Sequence, residues 1–195
     1  VSNVGVNNKT YDGQKTATVN GAATFSGIFG DDSLTVAGNG EFSDKNAGTG
    51  KTVNVSKIGL SGADAGNYTL ASTTSSGVAS ITQKALTVTG VTAASRDYDG
   101  TRNAVLSGGA LSGLVSGETL NLDLTNQTGV FADKNAGSGK VVTVTGATIS
   151  DGTTGLASNY AFSNASGVTA NISKATISSV SNVGVNNKTY DGQKT

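Results

Sequence analysis

Cysteine, histidine, methionine, tryptophan and proline are all absent from the 195-residue sequence. Without cysteine there is neither a disulfide framework nor a thiolate metal site. Without histidine or cysteine the usual catalytic bases and nucleophiles are missing, so no enzyme is expected. Charge is sparse as well: thirteen basic and thirteen acidic side chains cancel. That balance removes the electrostatic case for nucleic acid and offers none for an anionic membrane surface. No apolar run approaches the ~20 residues of a membrane-spanning helix, so membrane insertion is not expected. Val1 opens no signal peptide, and any export is expected to be directed by another part of a longer protein.

What is present is glycine, at 28 residues about twice the usual share, together with abundant Thr, Ser, Asn and Val. Such a composition suits short strands joined by tight turns. Helical periodicity is missing nearly everywhere, whereas alternation is common, as in Val53-Asn54-Val55, Leu86-Thr87-Val88, Leu120 to Leu124 and Val142-Thr143-Val144. Period-two segments broken by Gly and Asn indicate antiparallel sheet, and the fold class expected is all-β.

One phrase organises the chain. NKTYDGQKT at Asn8–Thr16 returns as RDYDGTRNA at Arg96–Ala104 and again, unchanged, at Asn187–Thr195. Tyr11, Tyr98 and Tyr190 step by 87 and then 92 residues, and Val1–Thr16 is identical to Val180–Thr195. A period of this size marks an array of small domains. Three further landmarks align the two units. One is an acidic residue ahead of an apolar strand, Asp32 or Glu118. The next is FxDKNAGxGKxVxV, from Phe42 to Val55 and from Phe131 to Val144. The last is Asn-Tyr, at Asn67-Tyr68 and Asn159-Tyr160. The second unit is longer mainly between Ser150 and Asn159, which suggests an enlarged surface loop.

Parity locates the joint. Ile81 and Leu86 fall on opposite faces of an extended chain, and so do Ile172 and Ile177. The chain is therefore expected to close one core at Ile81 and open the next at Leu86, with no Pro, Ser or Gly spacer, so that consecutive units are stiffly joined. A second switch, from Val55 to Ile58 and from Val144 to Ala147, suggests a bulge or a crossing between sheets. The architecture expected is two tandem antiparallel β-sandwiches of immunoglobulin-like type. Unit one runs over 1–84 with its opening strand truncated, and unit two over 85–174. Residues 175–195 begin a third unit, whose first strand is unpartnered or pairs with a neighbouring molecule's open edge. The alternative is a β-grasp-like unit with a short helix in Ser107–Leu114.

The Tyr-Asp-Gly phrase, the stretch Ser43–Val55, LSGADAGNYTL at Leu60–Leu70 and ITQKALTVT at Ile81–Thr89 resemble the YDG-type repeat domains. These occur in tandem in very large bacterial surface proteins of the filamentous-haemagglutinin and adhesin kind. The resemblance covers essentially the whole chain. It implies a secreted or cell-surface spacer module whose partners are neighbouring repeats, with any host surface or glycan engaged through other regions. It implies no enzyme and carries no established site, and no cofactor is expected.

Individual motifs have bland and sharp readings. The matched aromatics Tyr11, Tyr98, Tyr190, Tyr68, Tyr160, Phe42 and Phe131 are expected inside, because so apolar-poor a chain needs their bulk. Asp-Lys-Asn-Ala-Gly, at Asp44–Gly48 and Asp133–Gly137, reads as an Asx-turn covered by a lysine. A sharper reading is calcium held by Asp31, Asp32, Asp44 and Asp64 in unit one and by Glu118 and Asp133 in unit two, although no EF-hand loop is present. Another is a Lys–Asn isopeptide crosslink drawn from Lys45/Lys134, Asn67/Asn159 and Asp12/Asp99, which requires a buried neutral amine. Gly48–Thr52 echoes a phosphate loop but lacks its first glycine and precedes a strand. Glycan or host-protein binding through loops such as Gly152–Ser158 is the competing function.

Overall fold

The computed structural model describes residues 1–194. Unit one contributes β1 (Lys9–Thr10), β2 (Thr16–Ala17), β3 (Thr35–Phe42), β4 (Gly48–Ser61) and β5 (Ser75–Thr82), in one sheet of order β1-β5-β4-β3-β2. The alternation seen in the sequence places Val53 and Val55 of β4, Val36 and Phe42 of β3, and Ala79 and Ile81 of β5 on one buried face. Tyr11 and Val4 close over that face from the loops before β2.

Unit two runs through β6 (Lys84–Thr89), β7 (Thr92–Ala93), β8 (Arg96–Asp97), β9 (Asn103–Ala104), β10 (Leu106–Ser107), β11 (Ala110–Ser112) and β12 (Leu120–Asp123). It continues with β13 (Thr128–Phe131), β14 (Gly137–Thr145), β15 (Thr148–Asp151), β16 (Tyr160–Ser163) and β17 (Thr169–Ser173). Its five-stranded sheet, β8-β17-β14-β13-β9, repeats the order of unit one strand for strand. A second layer is made of β11-β6-β16 with the pairs β10-β7 and β12-β15. The all-β expectation holds. The sheets are mixed rather than purely antiparallel, however: β1 runs parallel to β5, β8 to β17 and β16 to β6. The segment Ser107–Leu114, where a β-grasp unit would carry a helix, contains β11 instead. Among the described residues the only helical turns are 3-10 turns at Ala65–Asn67 and Ala157–Asn159.

The second parity switch has two physical outcomes. In unit one, β4 stays continuous, and the β3–β4 register slips between Ala37 and Asn39. Lys57 takes the strain there, at φ +52°. In unit two the same position is Gly146, at φ +90°, and the chain leaves β14 to enter β15 in the other layer. A glycine adopts that backbone without penalty and frees the turn, whereas a lysine keeps it a bulge.

Between β5 and β6 stands Gln83 alone, and its amide donates to the Ser158 carbonyl at 3.0 Å. The second core gathers Val88, Val91, Phe131, Val142, Val144 and Ile172. Leu86 is not its opening residue. Leu86 and Tyr160 are buried together with the core residues of unit one, and Leu111, Leu114, Val115, Leu120 and Ile149 pack against the same cluster. Apolar packing thus runs through the junction, with Phe162 touching both clusters. Burying a side chain of this size removes roughly 1.5–3 kcal/mol of apolar exposure, so the junction contributes to folding as well as joining two folded pieces.

Candidate functional site

The repeated motifs converge at that junction. The carboxylate of Glu118, its side chain only 6% exposed, lies at the centre. It accepts from the Tyr11 hydroxyl at 2.5 Å, the Tyr160 hydroxyl at 2.8 Å and the Lys45 ammonium at 2.9 Å. Two of the donors, Tyr11 and Lys45, come from unit one, while Tyr160 and the acceptor belong to unit two. The rings of Tyr11 and Tyr160 meet edge to face, 5.6 Å apart at 77°. Beside them the buried Asn159 accepts from the Ala47 backbone N–H at 2.8 Å and donates to the Asn46 side chain at 3.1 Å. Tyr-Asp-Gly and Asp-Lys-Asn-Ala-Gly of one unit therefore grip the acidic landmark and Asn-Tyr of the next.

Local chemistry holds each partner in place. The Tyr11 N–H donates to the Thr82 carbonyl at 2.8 Å, which ties the motif to the end of β5. Asp12 accepts from Lys9 at 2.7 Å and from the Gln14 N–H at 2.9 Å, and Lys9 also donates to the Gln14 and Thr16 carbonyls. Arg96 with Asp99 and Lys188 with Asp191 repeat the ion pair. Gly13 sits at φ +80°, and a Cβ there would come within 3.0 Å of Val115 across the junction. A side chain at Gly13 would therefore be both strained and crowded.

The Asx-turn expectation is met. Asp44 accepts from the Asn46 N–H at 2.8 Å, and Asp133 from the Asn135 N–H at 2.7 Å. The covering lysine comes from outside the pentapeptide, as Lys51 at 2.6 Å from Asp44 and Lys140 at 2.7 Å from Asp133. Lys45 is thereby released to reach Glu118. The enlarged loop of unit two braces that carboxylate from behind. Thr154 accepts from the Thr119 N–H at 2.9 Å and donates to the Gly117 carbonyl at 3.0 Å, so its contacts bracket Glu118 on both sides.

Electrostatics follow from this packing. Burial alone would raise the Glu118 carboxyl, but hydrogen bonds from Tyr11, Lys45 and Tyr160 outweigh it and hold the group below the usual glutamate range. Burial, with the neighbouring Glu118 charge, pushes Tyr160 up to about 12 against the opposing Val115 N–H bond. Glu118 also raises the Lys45 amine, whose side chain is 42% exposed. A charged, solvent-reaching ammonium is the opposite of what isopeptide chemistry needs.

The six acidic calcium candidates do not come together, and among the described residues no group of three or more acidic side chains converges. Asp44 and Asp133 face their lysines and Glu118 its three donors. Asp32 accepts from the Tyr68 hydroxyl at 2.7 Å, Asp64 accepts from the Ser33 N–H at 2.8 Å, and Asp31 lies exposed in the turn beside Asp32. Of the seven aromatics expected inside, Tyr11, Tyr160, Phe42 and Phe131 are buried, Tyr68 is half-buried, and Tyr98 and Tyr190 are exposed. The reason is positional. Tyr98 and Tyr190 are motif tyrosines that no following unit covers among the described residues. The sequence marked Glu118 as a landmark but gave no sign of its partners, which lie 107 and 73 positions away in Tyr11 and Lys45.

No curated protein and no solved structure matches the chain. The family model described as the YDG domain matches twice, over residues 1–75 and 82–168, which together span well over half of the sequence. Its two segments lie on either side of the junction built from Tyr11, Lys45, Glu118 and Tyr160, and the chain belongs to the YDG domain family.

Proposed function

We propose that the chain is two links of a spacer in a secreted bacterial surface adhesin, holding a separate binding region away from the cell. The observation that carries this reading is the junction: two units share one residue of linker, a continuous apolar layer and a buried carboxylate bonded from both sides. A spacer needs stiffness between links more than it needs a site. The motifs that recur along the sequence are the ones spent on that contact. In this role the partners are neighbouring repeats, and neither a cofactor nor catalysis is called for. Calcium is not needed for stiffness when lysines already neutralise Asp44 and Asp133. Nor is the Gly152–Ser158 loop a free binding surface in this reading, since Thr154 is committed to bracing Glu118.

Small-angle scattering on proteins of two, four and six units tests the proposal. A spacer gives a maximum dimension that grows by a constant increment per unit. Growth as the square root of unit number, the behaviour of flexibly tethered beads, would defeat it. Calcium followed by chelator should leave the melting temperature unchanged, whereas a large reversible rise would replace this account with calcium stiffening.

A further inference from the structure

Unit one carries a polar cleft that its joint with unit two does not fill. β2 is short: Thr16 and Ala17 pair with Glu41 and Gly40, and the chain then turns away so that Val19 bridges Val6. A cleft of about 920 Å³ lies along this margin of the sheet, lined by Gln14, Lys15, Thr16, Asn39, Glu41 and Ser56, with bare backbone at Gly38 and Gly40. Alternation along β3 turns Asn39 and Glu41 away from the core, and the register sets Ser56 beside Asn39 and Thr16 beside Glu41. Gly13 and Lys45, which stand against Val115 and Glu118 across the joint, close one end. The surface that unit two applies to unit one, Val115, Glu118, Asn159 and Tyr160, corresponds in unit one to Phe29, Asp32, Asn67 and Tyr68. None of these four lines the cleft, so docking of a further unit there leaves it open.

The charges in the cleft are already matched: Lys45 pairs with Glu118, Asp44 with Lys51 and Lys15 with Glu41. Its neutral groups are not. The side chains of Gln14, Thr16, Asn39 and Ser56 are exposed and make no hydrogen bond among the described residues. The Lys15–Glu41 contact, 3.3 Å between two exposed side chains, is weak enough to open for a ligand. Unit two spends the same positions differently. Counted from the shared motif residues, Asn39 and Ser56 become Thr128 and Thr145, whose hydroxyls bond each other at 3.1 Å. Glu41 becomes Val130, and Lys15 becomes Arg102, whose Nε donates to the Phe131 carbonyl at 2.9 Å.

We propose that the cleft between β2 and β3 of unit one binds a short neutral oligosaccharide. Every sugar hydroxyl both donates and accepts, and the carboxamides of Gln14 and Asn39 and the hydroxyls of Thr16 and Ser56 answer in both senses. Glu41 adds an acceptor and Lys15 a donor. The volume falls within the ~300–1,000 Å³ of small-ligand sites. An anion is not favoured, because both lysines already hold carboxylates. A flat apolar ligand is not favoured, because no aromatic ring lines the cleft. Nor is an added peptide strand, because β2 already holds that edge of β3. Host glycans and bacterial polysaccharides both supply neutral oligosaccharides. The inference stands apart from the spacer reading, because a flexible array would carry the same cleft.

Nuclear magnetic resonance titration of the 195-residue chain tests it. The probes are lactose, chitotriose and mannotriose, as pieces of host glycans, and cellotriose and isomaltotriose, as pieces of bacterial polysaccharides. At least one should shift the backbone amides of Thr16, Gly38 and Gly40 while leaving their unit-two counterparts, Asn103, Gln127 and Gly129, in place. Which group of sugars binds identifies the source. Asn39→Thr, Glu41→Val and Ser56→Thr together write unit two's residues into unit one. This variant should keep its melting temperature, since the same side chains already coexist in unit two, and should bind about tenfold more weakly or worse. No shift with any of these sugars, shifts confined to other residues, or undiminished binding by the variant would overturn the proposal. So would tighter binding of sialyllactose than of lactose, which would make the ligand an anion.

Discussion

Tyr11 and Tyr98 occupy the same place in the same motif, yet one is 1% exposed and the other 38%. Tyr160 and Tyr68 repeat the contrast from the other side of the contact, fully buried in one unit and half-buried in the other. The backbone does not account for it: Gly13 and Gly100 have φ of +80° and +82°, and Tyr11 and Tyr98 donate to equivalent carbonyls, of Thr82 and Ser173. What differs is whether a neighbouring unit is docked. The recurring motif is thus an interface element that becomes core only in an array, and its burial measures assembly rather than folding of a single unit.

Paired substitutions break or sharpen this comparison. The largest effect is expected from Tyr160→Ala, which removes a buried ring and one donor to Glu118 and should cost about 3 kcal/mol or more in chemical denaturation. Tyr68→Ala, at the open end, should shift the midpoint far less. Next comes Glu118→Ala, expected to lose about 2 kcal/mol because two buried tyrosine hydroxyls are left without their acceptor while the half-exposed Lys45 turns to water. Asp32→Ala should leave the midpoint nearly unchanged. Tyr11→Phe removes one hydrogen bond and should cost about 1 kcal/mol, and Tyr98→Phe should cost nothing measurable. Equal effects within any of these pairs would mean that the motif acts inside its own unit.

The smallest effect expected is on pH. The Glu118 carboxyl is depressed in the folded chain, so its contribution is present above the ordinary glutamate value and is lost as pH falls through the folded one. Tyr160 is raised to about 12, so its contribution is complete below the ordinary tyrosine value of ~10 and is lost as pH rises from there through the folded value. Thermal melts should therefore show a plateau of stability with two shoulders, and Glu118→Gln should flatten the acid shoulder.

Much of the architecture was legible in the sequence because it is written locally. Alternation gave the strands, the step between tyrosines gave the repeat, and the parity switch after Val55 marked an irregularity. The switch after Ile81, by contrast, did not separate the cores, since Ile81 and Leu86 are buried in one cluster. Three things were not legible. The parallel pairing of β1 with β5 brings together residues over 70 positions apart, and no pattern within either strand announces it. The aromatic rule placed every matched tyrosine inside, because composition argues for burial without saying which neighbour does the burying. The motif does not mark which lysine covers Asp44, and it is Lys51, seven residues on in β4, that supplies the cover. A half-buried motif residue in a repeat is thus ambiguous between core and contact until the adjoining unit is seen.

The parallel pairs β1 with β5 and β8 with β17 carry a mechanical consequence. Each unit's early strand lies beside its last one and points the same way, so a pull on the two ends drags these strands past each other lengthwise. Their hydrogen bonds are then loaded in shear and must yield together, where a hairpin pulled at its open end would unzip one bond at a time.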